Sequence, residues 1–85
     1  MSSAFILKLV GPKGVVFDGG ATYVKFSSPT GEMMILPGHE SYICAISPCE
    51  LEYEVDSKKV EKLSVKRGFC KFEDDLCEIA LSEVG

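Results

Sequence analysis

Few residues in this chain could carry nucleophilic or metal chemistry: one histidine, His39, and four cysteines. Cys44 and Cys49 follow His39 closely, whereas Cys70 and Cys77 lie further along the chain. A histidine beside a cysteine can activate a thiolate nucleophile, and both residue types are ligands for zinc. From the residues alone, a small ligand- or metal-binding β module using His39 with Cys44 or Cys49 stays open, as does a hydrolase with a Cys–His pair.

The local patterns that such chemistry usually requires are missing. The cysteines form no Cys-x-x-Cys pair, so a structural zinc site has little support. Nothing near any of them indicates an activated thiolate, which favours cysteines that serve as small buried hydrophobes. His39 follows Pro37-Gly38, a setting typical of a loop histidine bonded to nearby backbone, with a partner contact as the alternative. We therefore predict no catalytic residue, no metal ligand and no cofactor.

Length and charge narrow the class of protein further. A chain of 85 residues forms one domain, residues 1–85, and buries too little surface to enclose a large substrate cavity. Its net charge of −4 would be repelled by phosphates, so we predict no nucleic-acid partner. The N-terminal sequence carries neither a signal peptide nor a membrane span. We therefore expect the domain to stay where it is made, with its cysteines reduced.

A period of two dominates the hydrophobic pattern and indicates strands. In the segment 50–56, apolar Leu51, Tyr53 and Val55 alternate with acidic residues, as in a strand with one face in water. The segment 58–67 is basic, which predicts an antiparallel hairpin turning near residues 56–59, with acidic side chains facing basic ones. A short helix from Val60 is the alternative, but its apolar stripe would be narrow.

The remaining strand candidates are separated by residues that favour turns, such as Gly11-Pro12-Lys13-Gly14, Asp18-Gly19-Gly20 and Ser28-Pro29-Thr30-Gly31. The candidates are Phe5–Val10, Val15–Phe17, Ala21–Ser27, Glu32–Leu36, Tyr42–Ile46, Phe69–Glu73 and Leu76–Leu81. Short strands with turns every few residues predict an all-β fold, a small two-sheet β-sandwich of about nine or ten short strands. No helix is predicted.

The segment from Met33 to Leu36 departs from this alternation because all four residues are apolar. Such a strand must be covered on both faces. In a thin sandwich one face packs on the opposite sheet, and the other needs a second protein surface or stays an exposed apolar patch. The segment therefore predicts an interaction site.

The block Gly31-Glu32-Met33-Met34-Ile35-Leu36-Pro37-Gly38-His39 also resembles a known family. It is similar to the Gly-Glu-(Leu/Met)-Gly-(Ile/Val)-(Leu/Tyr)-Pro-Gly-His block of the N-terminal β-sandwich domain of the epsilon subunit of the rotary, proton-translocating (F-type) ATP synthase. Val16-Phe17-Asp18-Gly19 resembles that family's Phe-x-Gly turn, and Ala45-Ile46-Ser47-Pro48 its Ala-Ile-Lys-Pro segment. Met34 replaces the usual second glycine of the block and makes this surface more apolar.

The resemblance implies a non-catalytic rotor subunit of the central stalk. Its partners would be the gamma subunit, the membrane ring of c subunits and the whole ATP synthase complex, and it would couple proton flow to ATP synthesis. It would lie peripherally at the cytoplasmic face of the inner, energy-transducing membrane. Typical members continue into a C-terminal helical hairpin, which we expect to be absent because this chain stops at Gly85.

The resemblance also assigns site residues. Glu32, Met33 and Met34 would face the c-ring, where the Glu32 carboxylate could pair with a basic loop residue. Pro37, Gly38 and His39 would lie toward gamma.

Overall fold

The computed structural model describes the backbone of residues 4–55 and 58–84. This part of the chain contains eight strands and no helix, and thus no helix that could cross a membrane. The strands are β1 (Phe5–Gly11), β2 (Gly14–Ala21), β3 (Tyr23–Ser28), β4 (Gly31–Ile35), β5 (Tyr42–Ile46), β6 (Cys49–Val55), β7 (Lys59–Glu73) and β8 (Leu76–Val84). The predicted all-β fold is confirmed, and the alternative of a helix from Val60 is wrong.

Eight strands are observed where about nine or ten were predicted, chiefly because two predicted strands form one. The 15-residue strand β7 runs through Gly68, which lies between the separately predicted segments 58–67 and Phe69–Glu73. Its register shifts twice around Arg67, and such bulges bend a strand without ending it. A Cβ on Gly68 would lie 2.7 Å from the carbonyl oxygen of Ala80, so only glycine allows β8 to approach this closely.

All eight strands belong to one continuous hydrogen-bonded sheet, and the bulges in β7 fold this sheet over into two layers. The first half of β7 pairs with β6, which continues to β3 and β4. The second half pairs with β5 on one side and β8 on the other, and β8 continues to β1 and β2. We call these groups the first sheet and the second sheet. The rings of Phe17 on β2 and Tyr53 on β6 lie 5.0 Å apart and join the two sheets.

The core lies between the inward faces of the two sheets. Its largest fully buried side chains are Phe5, Phe26, Phe72, Leu7, Leu9, Ile35, Leu51 and Ile79, contributed by both sheets. Most come from alternating positions, such as Phe5, Leu7 and Leu9 on β1, because successive side chains of a strand point to opposite faces. Burial of these apolar surfaces is the main force that holds the sandwich closed.

Strand β2 is longer than the predicted Val15–Phe17. Asp18-Gly19-Gly20 was expected to form a turn, and the similarity of Phe17-Asp18-Gly19 to a family turn suggested the same. Instead these residues pair with Lys8, Leu7 and Ile6 of β1. Ladder hydrogen bonds outweigh the weak strand preference of glycine here, so the turn prediction was wrong.

The predicted β6–β7 hairpin is confirmed, although residues 56 and 57 of its turn lie outside the described residues. Val55 pairs with Lys59, and the strands run antiparallel from there. The predicted matching of acidic and basic side chains is only partly right. Glu52 lies opposite Lys62, but Glu50 lies opposite Ser64 and Glu54 opposite Val60.

Candidate functional site

Strand β4 separates the three residues predicted to face the c-ring. Glu32 and Met34 point outward and are exposed, whereas Met33 is half-buried and packs against the core beside Phe26. The alternation of side chains along a strand requires this split. Any direct partner contact would therefore fall to Glu32 and Met34, with Met33 fixing the strand from below.

The outward face of β4 continues into Leu36. Leu36 is 49% exposed and Met34 is 44% exposed, while Ile35 between them is completely buried. The unbroken apolar segment is thus covered on one face and open on the other. Its open face is an apolar surface suited to contact with another protein.

Pro37, Gly38 and His39 form a tight loop after β4, which we call the PGH loop. Gly38 has a φ of 81°, a backbone conformation that glycine adopts easily. The backbone N–H of Gly38 donates to Oδ1 of Asp75 at 2.9 Å, and the N–H of His39 donates to the carbonyl of Leu36 at 3.1 Å. The first bond holds the loop against the β7–β8 turn, and the second closes the loop on itself.

The His39 side chain is tied to its own surroundings. Its Nδ1 atom donates to the carbonyl oxygen of Glu40 at 2.7 Å. Its ring meets those of Tyr42 and Phe72 edge-on, with centroids 5.9 Å and 5.7 Å away. The expectation of a loop histidine bonded to nearby backbone is confirmed, and the ring also links the PGH loop to strands β5 and β7.

A second apolar surface, not identified from the sequence, covers the outward face of the second sheet. Ile43 is 70% exposed and Phe69 is 66% exposed, and Ile6 and Leu76 extend the same face toward the PGH loop. A groove of about 570 Å³ runs beside Phe69 and Ile43 and is bordered by the charged side chains of Lys8, Lys71 and Glu78. These three residues pair across β1, β8 and β7 and form a charged row between Phe69 and the Ile6–Leu76 pair. We call this surface the apolar sheet face. The continuous apolar run of β5, Tyr42–Ile46, was the signal that could have revealed it.

Three cysteines, Cys44, Cys70 and Cys77, lie on the core side of the second sheet and do not contact His39. Cys44 lies opposite Cys70, and the Sγ atoms of Cys70 and Cys77 are 3.7 Å apart. The hydrogen bond with Cys77, together with burial, raises the pKa of the Cys70 thiol. Burial also raises the pKa of Cys44. The thiols of Cys44 and Cys70 are thus held protonated, which is the opposite of what a thiolate nucleophile needs.

Cys49 occupies a different place, at the start of β6. Its Sγ atom accepts a hydrogen bond from the backbone N–H of Ser27 at 3.4 Å. Among the described residues, no group of three or more His, Cys, Asp and Glu side chains is arranged to hold a metal ion. The alternative of a metal site built from His39 with Cys44 or Cys49 therefore gains no support.

These features describe a small β-sandwich domain, with an acidic and apolar strand on one sheet and exposed apolar side chains on the other. The chain belongs to the family described as the ATP synthase Delta/Epsilon chain β-sandwich domain, whose sequence model matches residues 4–84. The resemblance noted from the Gly31–His39 block is thereby confirmed.

Individual relatives agree with this assignment. The chain is 35% identical over 75 residues to the ATP synthase epsilon chain of Desulfitobacterium hafniense strain DCB-2, a match that covers 88% of this chain and 56% of that protein. It is also 35% identical over 72 residues to the epsilon chain of Prochlorococcus marinus strain MIT 9515, covering 85% and 53%. The chain thus spans about half the length of the curated relatives it matches.

Solved structures share the fold. A chain in the mitochondrial ATP synthase of Euglena gracilis, solved as OSCP/F1/c-ring, superposes with a TM-score of 0.90 at 23% identity, covering 100% of this chain and 54% of that one. A chain in the central stalk and c-ring structure of Tetrahymena thermophila mitochondrial ATP synthase gives a TM-score of 0.78 at 14% identity, covering 94% and 64%. Identities this low establish the architecture only.

Proposed function

We propose that this domain is a non-catalytic rotor subunit that links the gamma subunit to the c-ring of a proton-translocating ATP synthase. Family membership over residues 4–84 supports the proposal, as do structural relatives from complexes named for their central stalk or c-ring. The observation that carries it is the Gly31–His39 block. Its Glu32 end and its PGH loop lie at opposite ends of β4, where they can serve two partners at once.

The gamma side would comprise the PGH loop and the neighbouring apolar sheet face. Ile6, which begins the apolar sheet face, donates its N–H to the same Asp75 that binds Gly38, so the loop and the face adjoin. An apolar surface with large exposed side chains such as Phe69 and Ile43 is typical of a lasting protein–protein contact. Burial against a subunit that turns with it would join the two into one rotating body.

The c-ring side would comprise Glu32 and Met34. Glu32 lies about 13 Å along β4 from Leu36, at ~3.3 Å per residue, near the β3–β4 turn. It makes no hydrogen bond or ion pair within the part of the chain that the structure describes, so its carboxylate is available to a basic residue of the ring loops. Attachment of this kind would make the domain peripheral to the membrane, at its cytoplasmic face, without inserting into it.

Co-purification tests the link to gamma. The 85-residue chain carrying an affinity tag is mixed with purified gamma subunit, and bound protein is quantified after washing at physiological salt. We expect gamma to be retained, and the tag alone serves as the control. Absence of retention at micromolar concentrations would contradict the proposed function.

Charge reversal tests the link to the ring. In the assembled ATP synthase, Glu32→Arg should weaken proton-coupled ATP synthesis while leaving thermal unfolding of the domain within about 3 °C of wild type, since the side chain is exposed. Glu50→Arg, an exposed acidic position on β6, is the matched control. If coupling in the Glu32→Arg complex equals that of the control, Glu32 does not contact the ring.

A further inference from the structure

Asp75 connects three separate segments at one end of the sandwich. Its carboxylate Oδ1 accepts the backbone N–H of Gly38 in the PGH loop at 2.9 Å. Its backbone carbonyl accepts the N–H of Ile6 at the start of β1, also at 2.9 Å. Asp75 itself lies in the tight turn between β7 and β8. One residue thus ties the loop to both the turn and the second sheet.

The backbone of this turn explains how the side chain reaches the loop. Asp74 and Asp75 adopt φ values of 52° and 56°, the left-handed conformation typical of a two-residue hairpin turn. Glycine, asparagine and aspartate tolerate that conformation best. Of these three, only asparagine and aspartate carry an acceptor oxygen, and a carboxylate bonds a backbone N–H more strongly than a neutral group.

The loop that Asp75 holds also has little other attachment. Beyond the Gly38 bond, the described contacts of the PGH loop are the His39 bonds to Leu36 and Glu40 and the ring contacts of His39. The bonds to Leu36 and Glu40 are local in sequence and do not join the loop to the second sheet. The His39 ring packs against Tyr42 and Phe72 of the second sheet, and the Asp75–Gly38 bond, between residues 37 apart in sequence, ties the Gly38 end of the loop to the β7–β8 turn. These two attachments together set where the loop lies relative to the apolar sheet face.

We propose that Asp75 is a positioning residue for partner binding, because its carboxylate holds the PGH loop in line with the apolar sheet face so that one partner surface contacts both. The inference rests on the proposed function and adds a residue that the motif does not contain. Without the bond, the His39 ring still holds one end of the loop, but the Gly38 end loses its tie to the β7–β8 turn and the partner must order it on binding. That ordering costs affinity although the folded domain is unchanged.

Variants of the turn test this directly. Asp75→Gly keeps the left-handed backbone and removes the acceptor, whereas Asp75→Asn keeps both the backbone preference and an acceptor oxygen. Asp74→Gly is the matched control, since it places the same glycine in the same turn and removes a side chain without a described hydrogen bond. Amide hydrogen exchange of Gly38, affinity for purified gamma subunit and thermal unfolding are measured for all four proteins.

We expect Asp75→Gly to speed exchange of the Gly38 amide and to weaken gamma binding about fivefold, the equivalent of one lost hydrogen bond. Asp75→Asn should recover most of both effects, and Asp74→Gly should match wild type in both. Thermal unfolding should shift equally in the two glycine variants, which separates loop positioning from general stability.

Two results would overturn the proposal in distinguishable ways. If wild type binds gamma and Asp75→Gly binds equally well, the positioning role is wrong while the proposed function stands. If wild type does not bind gamma, the proposed function fails, and the role of Asp75 in partner binding fails with it.

Discussion

The two sheets of this sandwich present very different outward faces. On the first sheet, polar groups bond to one another: the Tyr23 hydroxyl donates to Glu52 at 2.5 Å, and the Thr22 hydroxyl donates to Glu54 at 2.5 Å. On the second sheet, the large side chains of Ile43 and Phe69 are 70% and 66% exposed, respectively. The β3–β6 part of the first sheet thus bonds its own polar groups, whereas the second sheet leaves Ile43 and Phe69 uncovered; on the first sheet, Met34 and Leu36 beside the β4 edge are also exposed.

This difference shows that the same alternation can serve two purposes. In both sheets the inward positions build the core, so folding alone does not require Ile43 and Phe69 on the outward face of the second sheet to be apolar. Monomeric proteins seldom expose a contiguous apolar patch without a use for it. Under the proposed function, the exposed Ile43 and Phe69 serve binding, and the bonded polar side chains of Tyr23 and Glu52 stay in water.

The strand that joins the two faces offers the largest expected effect. Gly68→Ala would place a methyl group 2.7 Å from the Ala80 carbonyl oxygen and force β7 and β8 apart. We expect the free energy of unfolding to fall by about 2–4 kcal/mol, measured by chemical denaturation. If this close approach of β7 and β8 holds the two sheets in place, Gly68→Ala should disrupt the outward faces of both sheets together.

Gly20→Ala is the control for that experiment. Nothing lies within 4 Å of a Cβ at Gly20, so its substitution should change the free energy of unfolding by less than about 1 kcal/mol. Equal destabilisation by the two substitutions would show that the β7 bend does not depend on glycine.

Matched substitutions on the two faces test whether only the second sheet binds gamma. Phe69→Ser should weaken gamma binding about tenfold or more, because a large aromatic side chain near the centre of an interface is a typical hot spot. Val60→Ser removes an apolar residue that is 44% exposed at the edge of the first sheet, and it should change affinity less than about twofold. Titration calorimetry measures both.

If Val60→Ser weakens gamma binding more than Phe69→Ser does, the gamma contact lies on the first sheet instead. Thermal unfolding of each variant is recorded alongside, since both side chains are substantially exposed and should contribute little to stability.

The smallest expected effect is a pH dependence confined to the polar face. The hydrogen bond to Glu52 raises the pKa of Tyr23 to about 12, and the same bond lowers the pKa of Glu52. The folded protein thus keeps the Tyr23 proton at pH values where the unfolded chain has lost it. Stability from this bond is fully present below pH 10 and declines as pH rises toward about 12.

At acid pH the stability from this bond changes in the opposite direction and is lost as pH falls. Because the folded pKa of Glu52 is depressed, its contribution is present above the ordinary carboxyl range, near 4.5, and is lost as pH falls through the folded value. Thermal unfolding of wild type and Tyr23→Phe, measured from pH 3 to 11, should differ in slope in both windows. Parallel curves would show that the bond contributes nothing to folding in solution.

Much of the fold was predictable from local sequence. The bounds of β5 were predicted to the residue, and β1 differs by one position, because both have strong strand formers bounded by turn residues. The turns at Pro12-Lys13, Pro29-Thr30 and Asp74-Asp75 were also located correctly. The predicted turn at Asp18-Gly19-Gly20 failed because pairing with β1 decided the outcome there. The two segments predicted on either side of Gly68 form one strand because both pair along the same long β7.

The candidate site was predictable only in part. The Gly31–His39 block marked the interaction strand, but the positions of Glu32 and Met33 on opposite faces emerged from the pleat of β4. The apolar sheet face draws on β1, β5, β7 and β8, which are far apart in sequence. No local pattern could show that Ile6, Ile43 and Phe69 share one surface.

The sequence by itself determined the strands, most of the turns and the family, because alternation, turn residues and the Pro-Gly-His block are local properties. Tertiary structure alone decided which outward face stays apolar and which residue holds the PGH loop. Both depend on strand pairing between distant segments: Asp75 meets Gly38 only because β7 and β8 bring their turn beside the end of β4. Long-range packing therefore determines how the motif is presented to its partners.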